Sequence, residues 1–305
     1  MPELPEVETV RQGLNQVTLN QAVMGGEVLL NRTLAYPFSV DEFLQNLTGI
    51  AIAQWHRRGK YLLAELVKLD LEKNPGGWLG VHLRMTGQLL WVDQEDPLQK
   101  HTRIRLFFAK NRELRFVDQR TFGQMWWVPP DQKISNIITG LNNLGPEPFA
   151  AEFSVDYLQD QFKKRQRPIK SALLDQKLVA GVGNIYADEA LFLSGISPTT
   201  PCTSLTRLQL EALRSHIIQV LEKSIQAGGT TIRNFLNVQG INGNYGGAAW
   251  VYNRTGEPCR ICETPIERLK LAGRSAHFCP QCQGEGNREW GITNYELRMG
   301  NREIR

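Results

Sequence analysis

Four cysteines near one end of the chain constrain its fold more tightly than any other feature. Cys259-Arg260-Ile261-Cys262 and Cys279-Pro280-Gln281-Cys282 are separated by sixteen residues. A CxxC turn places two thiolates on one tight knuckle, and two knuckles complete a tetrahedral sulfur site for Zn²⁺. Four protein ligands leave the metal no open position, so one structural zinc is expected, with no part in the chemistry. A redox role for the pairs fits this spacing less well. His277 is not needed as a ligand, and the remaining Cys202 reads as a small apolar residue. Residues 266–274 between the knuckles suffice for a β-hairpin, from which Arg268, Lys270 and Arg274 would project toward an anionic partner.

At 305 residues the chain exceeds one typical core, so two domains are expected. A net charge of +4 is too small to argue for nucleic acid by itself. Its placement is more informative. Lys163, Lys164, Arg165, Arg167 and Lys170 form a run with no acidic residue among them. The plain alternative for such a run is a solvated helix face. No stretch approaches the ~18 apolar residues that would span a bilayer, and Met1-Pro2-Glu3 is not a signal-peptide start. An intracellular protein with no membrane contact is expected.

Val7, Val10 and Leu14 share one helical face. Residues 22–130 read mostly as strands, typified by residues 61–64, 78–81 and the alternating 101–106, with turn signals such as Asn74-Pro75-Gly76-Gly77 between them. Strands in this number suggest a sandwich or barrel with helices at its edges. Pro129-Pro130 and Gly145-Pro146-Glu147-Pro148 bracket an interdomain passage. Helical patterns follow over residues 173–177, 187–193, 204–227 and 231–235, and strand returns at Trp250-Val251-Tyr252 and between the cysteines.

The other end carries chemistry. Residue 2 is small, so removal of Met1 would leave Pro2 with a free secondary amine. An α-amino group has an ordinary pKa of about 7.7–8.0, so a useful fraction is neutral and nucleophilic near neutral pH. Attack on a sugar or carbonyl carbon would give an iminium that stays cationic without a proton, with Glu3 beside it to move protons. The plain alternative is that Pro2 and Pro5 only stiffen a frayed terminus.

Residues 177–187, Lys-Leu-Val-Ala-Gly-Val-Gly-Asn-Ile-Tyr-Ala, lack the third glycine and the preceding strand of a dinucleotide site. Glycines between helices fit a tight helix–turn–helix, whose backbone N–H groups and Asn184 would grip a phosphate. At this point the chain resembles bacterial formamidopyrimidine-DNA glycosylases over roughly residues 1–282. The matching stretches run in order through residues 2–9, Arg57-Arg58-Gly59-Lys60-Tyr61, His82-Leu83-Arg84-Met85-Thr86-Gly87, Asp118-Gln119-Arg120-Thr121-Phe122-Gly123, residues 144–148 and Gly181 to Ala187. Gly228-Gly229-Thr230-Thr231, Gly256-Glu257-Pro258-Cys259 and the cysteine pairs complete them.

That resemblance implies roles residue by residue. Pro2 would attack C1′ of the damaged nucleoside and form the Schiff base. Glu3 would be the general acid/base, with Glu6 positioning the site. Lys60 would donate a proton in β-elimination, and Arg274 would serve δ-elimination and phosphate binding. Asn184 would bind a phosphate beside the lesion, and His101 would contact DNA. Met85, Arg120 and Phe122 would fill the gap left by the flipped nucleotide, with Arg120 paired to the orphaned cytosine. A nucleoside must be extruded before chemistry, at a cost of a few kcal/mol, and apolar wedges offset such unstacking. In isolation Met85 and Phe122 would read as core, and Lys60 and Arg274 as surface charges.

Some positions depart from the family. Gln119 stands where proline is usual and Thr121 where a second arginine is common, so a less rigid wedge loop is expected. The usual DNA-contacting lysine aligns with Gln166, which passes that contact to Arg165 or Arg167. Arg233 replaces a lysine, and the tail after Cys282 is longer than usual.

The expected fold is α+β. It comprises an N-terminal β-sandwich domain with flanking helices (1–135), a linker (136–150), a helical domain with a helix–two-turns–helix element (151–248), a four-cysteine zinc-finger hairpin (249–282) and a tail (283–305). The expected function is a monomeric base-excision repair enzyme that removes oxidised purines from duplex DNA and nicks the abasic site. The alternatives are an endonuclease VIII-like enzyme for oxidised pyrimidines and a zinc-ribbon DNA-binding protein without catalysis. Pro2, Glu3 and Lys60 argue against the last, because binding requires none of them.

Overall fold

The structure is a computed structural model that describes residues 1–70, 72–230, 238, 240 and 245–284. The expected helix at 231–235, Arg233 and the tail from residue 285 lie outside the described residues. The chain divides into two compact units. The first comprises Met1–Asn143 and Ser224–Gly246, and the second comprises Leu144–Lys223 and the described chain from Gly247.

The first unit opens with α1 (Leu4–Val17), β1 (Gly25–Val28), β2 (Leu34–Tyr36) and α2 (Val40–Leu47). Seven strands follow: β3 (Ile50–Arg58), β4 (Tyr61–Lys68), β5 (Pro75–His82), β6 (Gly87–Asp93), β7 (Thr102–Phe108), β8 (Arg112–Asp118) and β9 (Gln124–Val128), and a short α3 (Ile134–Ile137) comes after them. One sheet has the order β1-β7-β8-β6 and the other β2-β9-β5-β4-β3. Burial alternates along β7, so Ile104, Leu106 and Phe108 point inward. They share a core with Leu89, Leu114 and Phe116 of their own sheet and with Leu62, Ala64, Leu79, Val81 and Trp127 of the other. This is the expected sandwich. α2 breaks the run of strands, with Ser39 capping its start by accepting from Glu42 N at 3.2 Å.

The apolar face of α1, Val7, Val10 and Leu14, is fully buried in this core. Polar bonds tie the same helix to β3. Trp55 N donates to Asn15 Oδ1 at 2.8 Å, Asn15 Nδ2 donates to Trp55 O at 3.1 Å, and Arg57 Nε donates to Glu8 at 3.0 Å. The N-terminal residues therefore precede an anchored helix.

The second unit contains α4 (Val155–Phe162), α5 (Ile169–Leu173), α6 (Asn184–Leu193) and most of α7 (Arg207–Gln226), then the hairpin β10 (Glu267–Leu271) and β11 (Arg274–Phe278). Two sequence expectations are corrected here. The helix expected at 173–177 ends at Leu173, and the following turn is organised by Asp175, which accepts from Lys177 N at 3.0 Å and from Arg167 at 2.9 Å. Residues 250–252 are not a strand, although their β-branched and aromatic side chains suggest one. Their three N–H groups donate to the buried Glu189 carboxylate at 2.7, 3.0 and 2.9 Å, which takes the place of a ladder partner. Burial pushes the Glu189 carboxyl above its ordinary pKa, and the three N–H bonds pull the other way.

Candidate active site and nucleic-acid interface

Glu3 sits at the N-cap of α1 and Glu6 at its third position, and the two form a reciprocal capping box. Glu6 Oε2 accepts from Glu3 N at 2.8 Å. Glu6 Oε1 accepts from Thr230 N at 2.8 Å, so one buried carboxylate holds both the N-terminal tip and a segment more than two hundred residues away. Gly229 makes the approach possible. Its φ is +83°, and a Cβ there would lie 3.2 Å from Glu6 Cγ. Glu3 is 4 % exposed, Pro2 is half-buried and Met1 is 45 % exposed.

Lys60 lies in the two-residue turn between β3 and β4, after Gly59 in the left-handed region (φ 55°). It is buried, and its charge is felt by His82 at the end of β5. Burial lowers the His82 pKa to about 3, helped by the Arg84 and Lys60 charges, so the ring is neutral at ordinary pH. His82 Nδ1 accepts from Arg84 N at 3.0 Å, and the ring meets Tyr61 edge-on with centroids 4.5 Å apart.

Met85 is half-buried on the loop after β5, while Arg120 and Phe122 are exposed on the loop after β8. The Arg120 guanidinium lies 5.1 Å from the Phe122 ring centroid. Thr121 adopts φ 57°, and the Arg32 guanidinium donates to its hydroxyl. His101 is half-buried beside Arg103, whose NH2 lies 3.2 Å from His101 Nδ1. The loop before His101 is held by Arg115, which is fully buried and donates to the carbonyls of Asp93, Asp96 and Pro97 and to Gln99 Oε1.

In the second unit, Asn184 is the first residue of α6, and its Nδ2 lies 3.5 Å from Ser275 Oγ, next to Arg274. Its buried Oδ1 has no protein hydrogen bond in the structure. Arg274 is exposed at the start of β11. The basic run is more committed than its sequence suggests. Arg167 pairs with Asp175 at 2.9 Å, Lys163 with Asp160 at 2.6 Å, and Arg165 donates to Gln161 at 2.7 Å. Lys170 is fully buried and pairs with Asp188 at 2.5 Å, so it does not belong to a solvated face. Asp188 also accepts from the N–H of His277 at 3.0 Å.

The four cysteine sulfurs lie within 4.8 Å of one another, with separations of 3.8 Å for Cys259–Cys282 and 3.4 Å for Cys262–Cys279. Tetrahedral Zn–S bonds of about 2.3 Å imply sulfurs about 3.8 Å apart, so the donor set fits one zinc. Knuckle N–H groups of Ile261 and Cys282 donate to Cys259 and Cys279 sulfur at 3.4 Å. Hydrogen bonding from Cys282 lowers the Cys259 thiol below its ordinary pKa, while burial pushes Cys279 up. This is a closed structural centre.

Three family models match in sequence order. They are the formamidopyrimidine-DNA glycosylase N-terminal domain over residues 1–125, the formamidopyrimidine-DNA glycosylase H2TH domain over 144–236, and the zinc finger found in FPG and IleRS over 256–284. A formamidopyrimidine-DNA glycosylase of Trichodesmium erythraeum is 65 % identical over 299 residues, covering 93 % of this chain and all of that protein. The chain belongs to the formamidopyrimidine-DNA glycosylase family. Solved structures of the family agree. A variant of the Lactococcus lactis FPG in complex with Fapy-dG-containing DNA matches with a TM-score of 0.84 and 35 % identity, over 93 % of this chain and all of that one. MutM in complex with DNA containing carbocyclic 8-oxo-G matches with a TM-score of 0.82, also at 35 % identity and with the same coverage.

Reasoning from sequence assigned no role to several residues that the structure places around the candidate site of this formamidopyrimidine-DNA glycosylase family member. Thr230, His82, Thr86 and Asp118 act through bonds to other side chains or backbone, not through a reactive group of their own. Each lies inside a stretch that resembles the family, which marks the position without stating its task.

Proposed function

We propose that this protein is a bifunctional DNA glycosylase and abasic-site lyase that removes oxidised purines, 8-oxoguanine and formamidopyrimidines, from duplex DNA. The observation that carries the reading is the immobilised N-terminal tip: Glu3 is buried and locked to Glu6, immediately after a proline whose nitrogen becomes a secondary amine once the exposed Met1 is removed. Family membership supports it.

In this reading the neutral Pro2 nitrogen attacks C1′ as the glycosidic bond breaks and the base leaves with its electron pair. Glu3 transfers protons during base loss and sugar-ring opening. The resulting iminium acidifies the neighbouring C2′ proton. Its removal expels the 3′-phosphate, with Lys60 supplying a proton in this β-elimination. Arg274 serves the second, δ, elimination and holds phosphate with Asn184, while Arg165 and His101 make further DNA contacts. Met85 and Phe122 occupy the vacated stack, and Arg120 reads the orphaned cytosine. Zinc holds the hairpin that carries Arg274. The enzyme works as a monomer in the cytoplasm, where the DNA is; among the described residues no helix is long and apolar enough to cross a membrane.

Borohydride trapping tests the reading. Protein with a free Pro2 should form a covalent complex with 8-oxoguanine DNA and with abasic DNA, and protein extended at its N-terminus should form neither while still binding DNA. Trapping by the blocked protein would place the nucleophile elsewhere, with Lys60 the first alternative.

A further inference from the structure

Two short connections cross between the sheets of the sandwich at the same end. Residues 83–86 lead from His82 in one sheet to Gly87 in the other, and residues 119–123 return from Asp118 to Gln124. The registers place the crossings side by side, because His82 pairs with Gln124 and Gly87 pairs with Asp118. The first crossing carries Met85, and the second carries Arg120 and Phe122.

Asp118 is fully buried between them. Its Oδ1 accepts from the Thr86 hydroxyl on the first crossing and from Arg120 N, 3.2 Å away, on the second. Arg120 N also donates to Thr86 Oγ1 at 3.0 Å. Asp118 Oδ2 accepts from Gly123 N at 2.7 Å. Only glycine permits that approach, since a Cβ at 123 would lie 2.5 Å from Phe116 Cζ and 3.0 Å from Asp118 Oδ2. The remaining ends are also held. Arg84, at φ 51°, donates its N–H to His82 Nδ1 at 3.0 Å and its guanidinium to Gln124 Oε1 at 3.2 Å. The Asp118 backbone reaches the neighbouring strand, with its N–H on His101 O at 2.9 Å and its carbonyl accepting from Arg103 Nε at 2.9 Å.

We propose that Asp118, with Thr86, is a positioning residue that locks the Met85 crossing to the Arg120–Phe122 crossing, so that the three side chains enter DNA as one wedge. This rests on the reading of those three side chains as the void-filling group. A carboxylate suits the task because it only accepts, and the groups around it are two backbone N–H donors and one hydroxyl.

The test uses the full-length protein with Asp118→Asn and, as the milder change, Thr86→Val, which removes the hydroxyl and keeps the shape. Each is assayed for single-turnover excision of 8-oxoguanine opposite cytosine and opposite adenine, and for cleavage of a preformed abasic site in single-stranded DNA, where no stack needs filling. Both variants should lose roughly tenfold or more in duplex excision relative to single-strand cleavage, because Asp118→Asn takes the charged acceptor from its N–H and hydroxyl donors and Thr86→Val takes the hydroxyl from the buried carboxylate. The preference for cytosine should narrow, and adding either change to Arg120→Ala should cost little more, because residues acting as a unit are not additive. Equal losses on duplex and single-stranded DNA, or full additivity with Arg120→Ala, would overturn the lock. Arg120→Ala and Phe122→Ala proteins that excise and discriminate like the parent would instead overturn the wedge reading itself.

Discussion

Buried polar residues that react with nothing set the geometry of this site. Glu6 divides its two oxygens between Glu3 N and Thr230 N, and His82 accepts the Arg84 N–H only while its Nδ1 is unprotonated. The His82 pKa is lowered from 6.5 to about 3, so the unfolded chain binds a proton that the folded chain refuses. Its contribution to stability is therefore complete above the unfolded value of 6.5 and is lost progressively as pH falls toward 3. An asparagine places an amide oxygen near the Nδ1 position and does not titrate. His82→Asn should therefore show a shallower fall in unfolding midpoint between pH 7.5 and 5 than the parent, measured by thermal melts; parallel curves would remove His82 from that dependence. At the same scale, Arg120→Ala should weaken preference for cytosine opposite the lesion by about 1–3 kcal/mol if the guanidinium reads that base. An unchanged ratio of excision rates opposite the four bases would show that it does not.

Among the elements, the hairpin β10–β11 depends most on something other than its own packing. Five residues per strand and a two-residue turn are marginal alone, and the hairpin is held by the cysteine centre and by Asp188, through the His277 N–H. Cys279→Ser should abolish stoichiometric zinc and weaken DNA binding, and chelation of the parent should reproduce the defect. Acid should release the metal as well, because thiolates must be deprotonated to bind it. Metal analysis with binding titrations decides this, and full affinity in a zinc-free variant would separate the hairpin from DNA binding. α1 stands at the other extreme. Its buried apolar face and its Glu8 and Asn15 bonds to β3 anchor it without any ion.

For the whole molecule, a net charge of +4 leaves DNA affinity to local groups, and the structure narrows which ones. Lys170 is sealed against Asp188, and Arg167 is turned onto Asp175, whose carboxyl is pushed up by burial but held below its ordinary pKa by the Arg167 hydrogen bond and the Arg167 and Arg165 charges. Lys164 is exposed and Arg165 half-exposed on the same segment. Neutralising both should flatten the dependence of log affinity on log salt by about 0.9 for each phosphate no longer neutralised. A slope equal to the parent's would return that segment to a solvated surface.

The features legible in the sequence were those written in neighbouring residues. Cysteine spacing states a tetrahedral sulfur set, alternation in residues 101–106 states a half-buried strand, and ordered motifs from Pro2 to Cys282 state the family. Three things required the folded chain. Lys170 looked like one more surface cation and is a buried ion pair, because its partner Asp188 lies on another helix. Residues 250–252 had strand composition and are not strand, because Glu189 accepts the N–H groups a neighbouring strand would have taken. Asp118 sits inside a recognisable motif, yet its task appears only when antiparallel pairing of β6 and β8 brings Thr86 beside it. Spacing along a chain encodes what one turn or strand can hold, whereas the partner of a buried charge is chosen by which distant segments the core brings together.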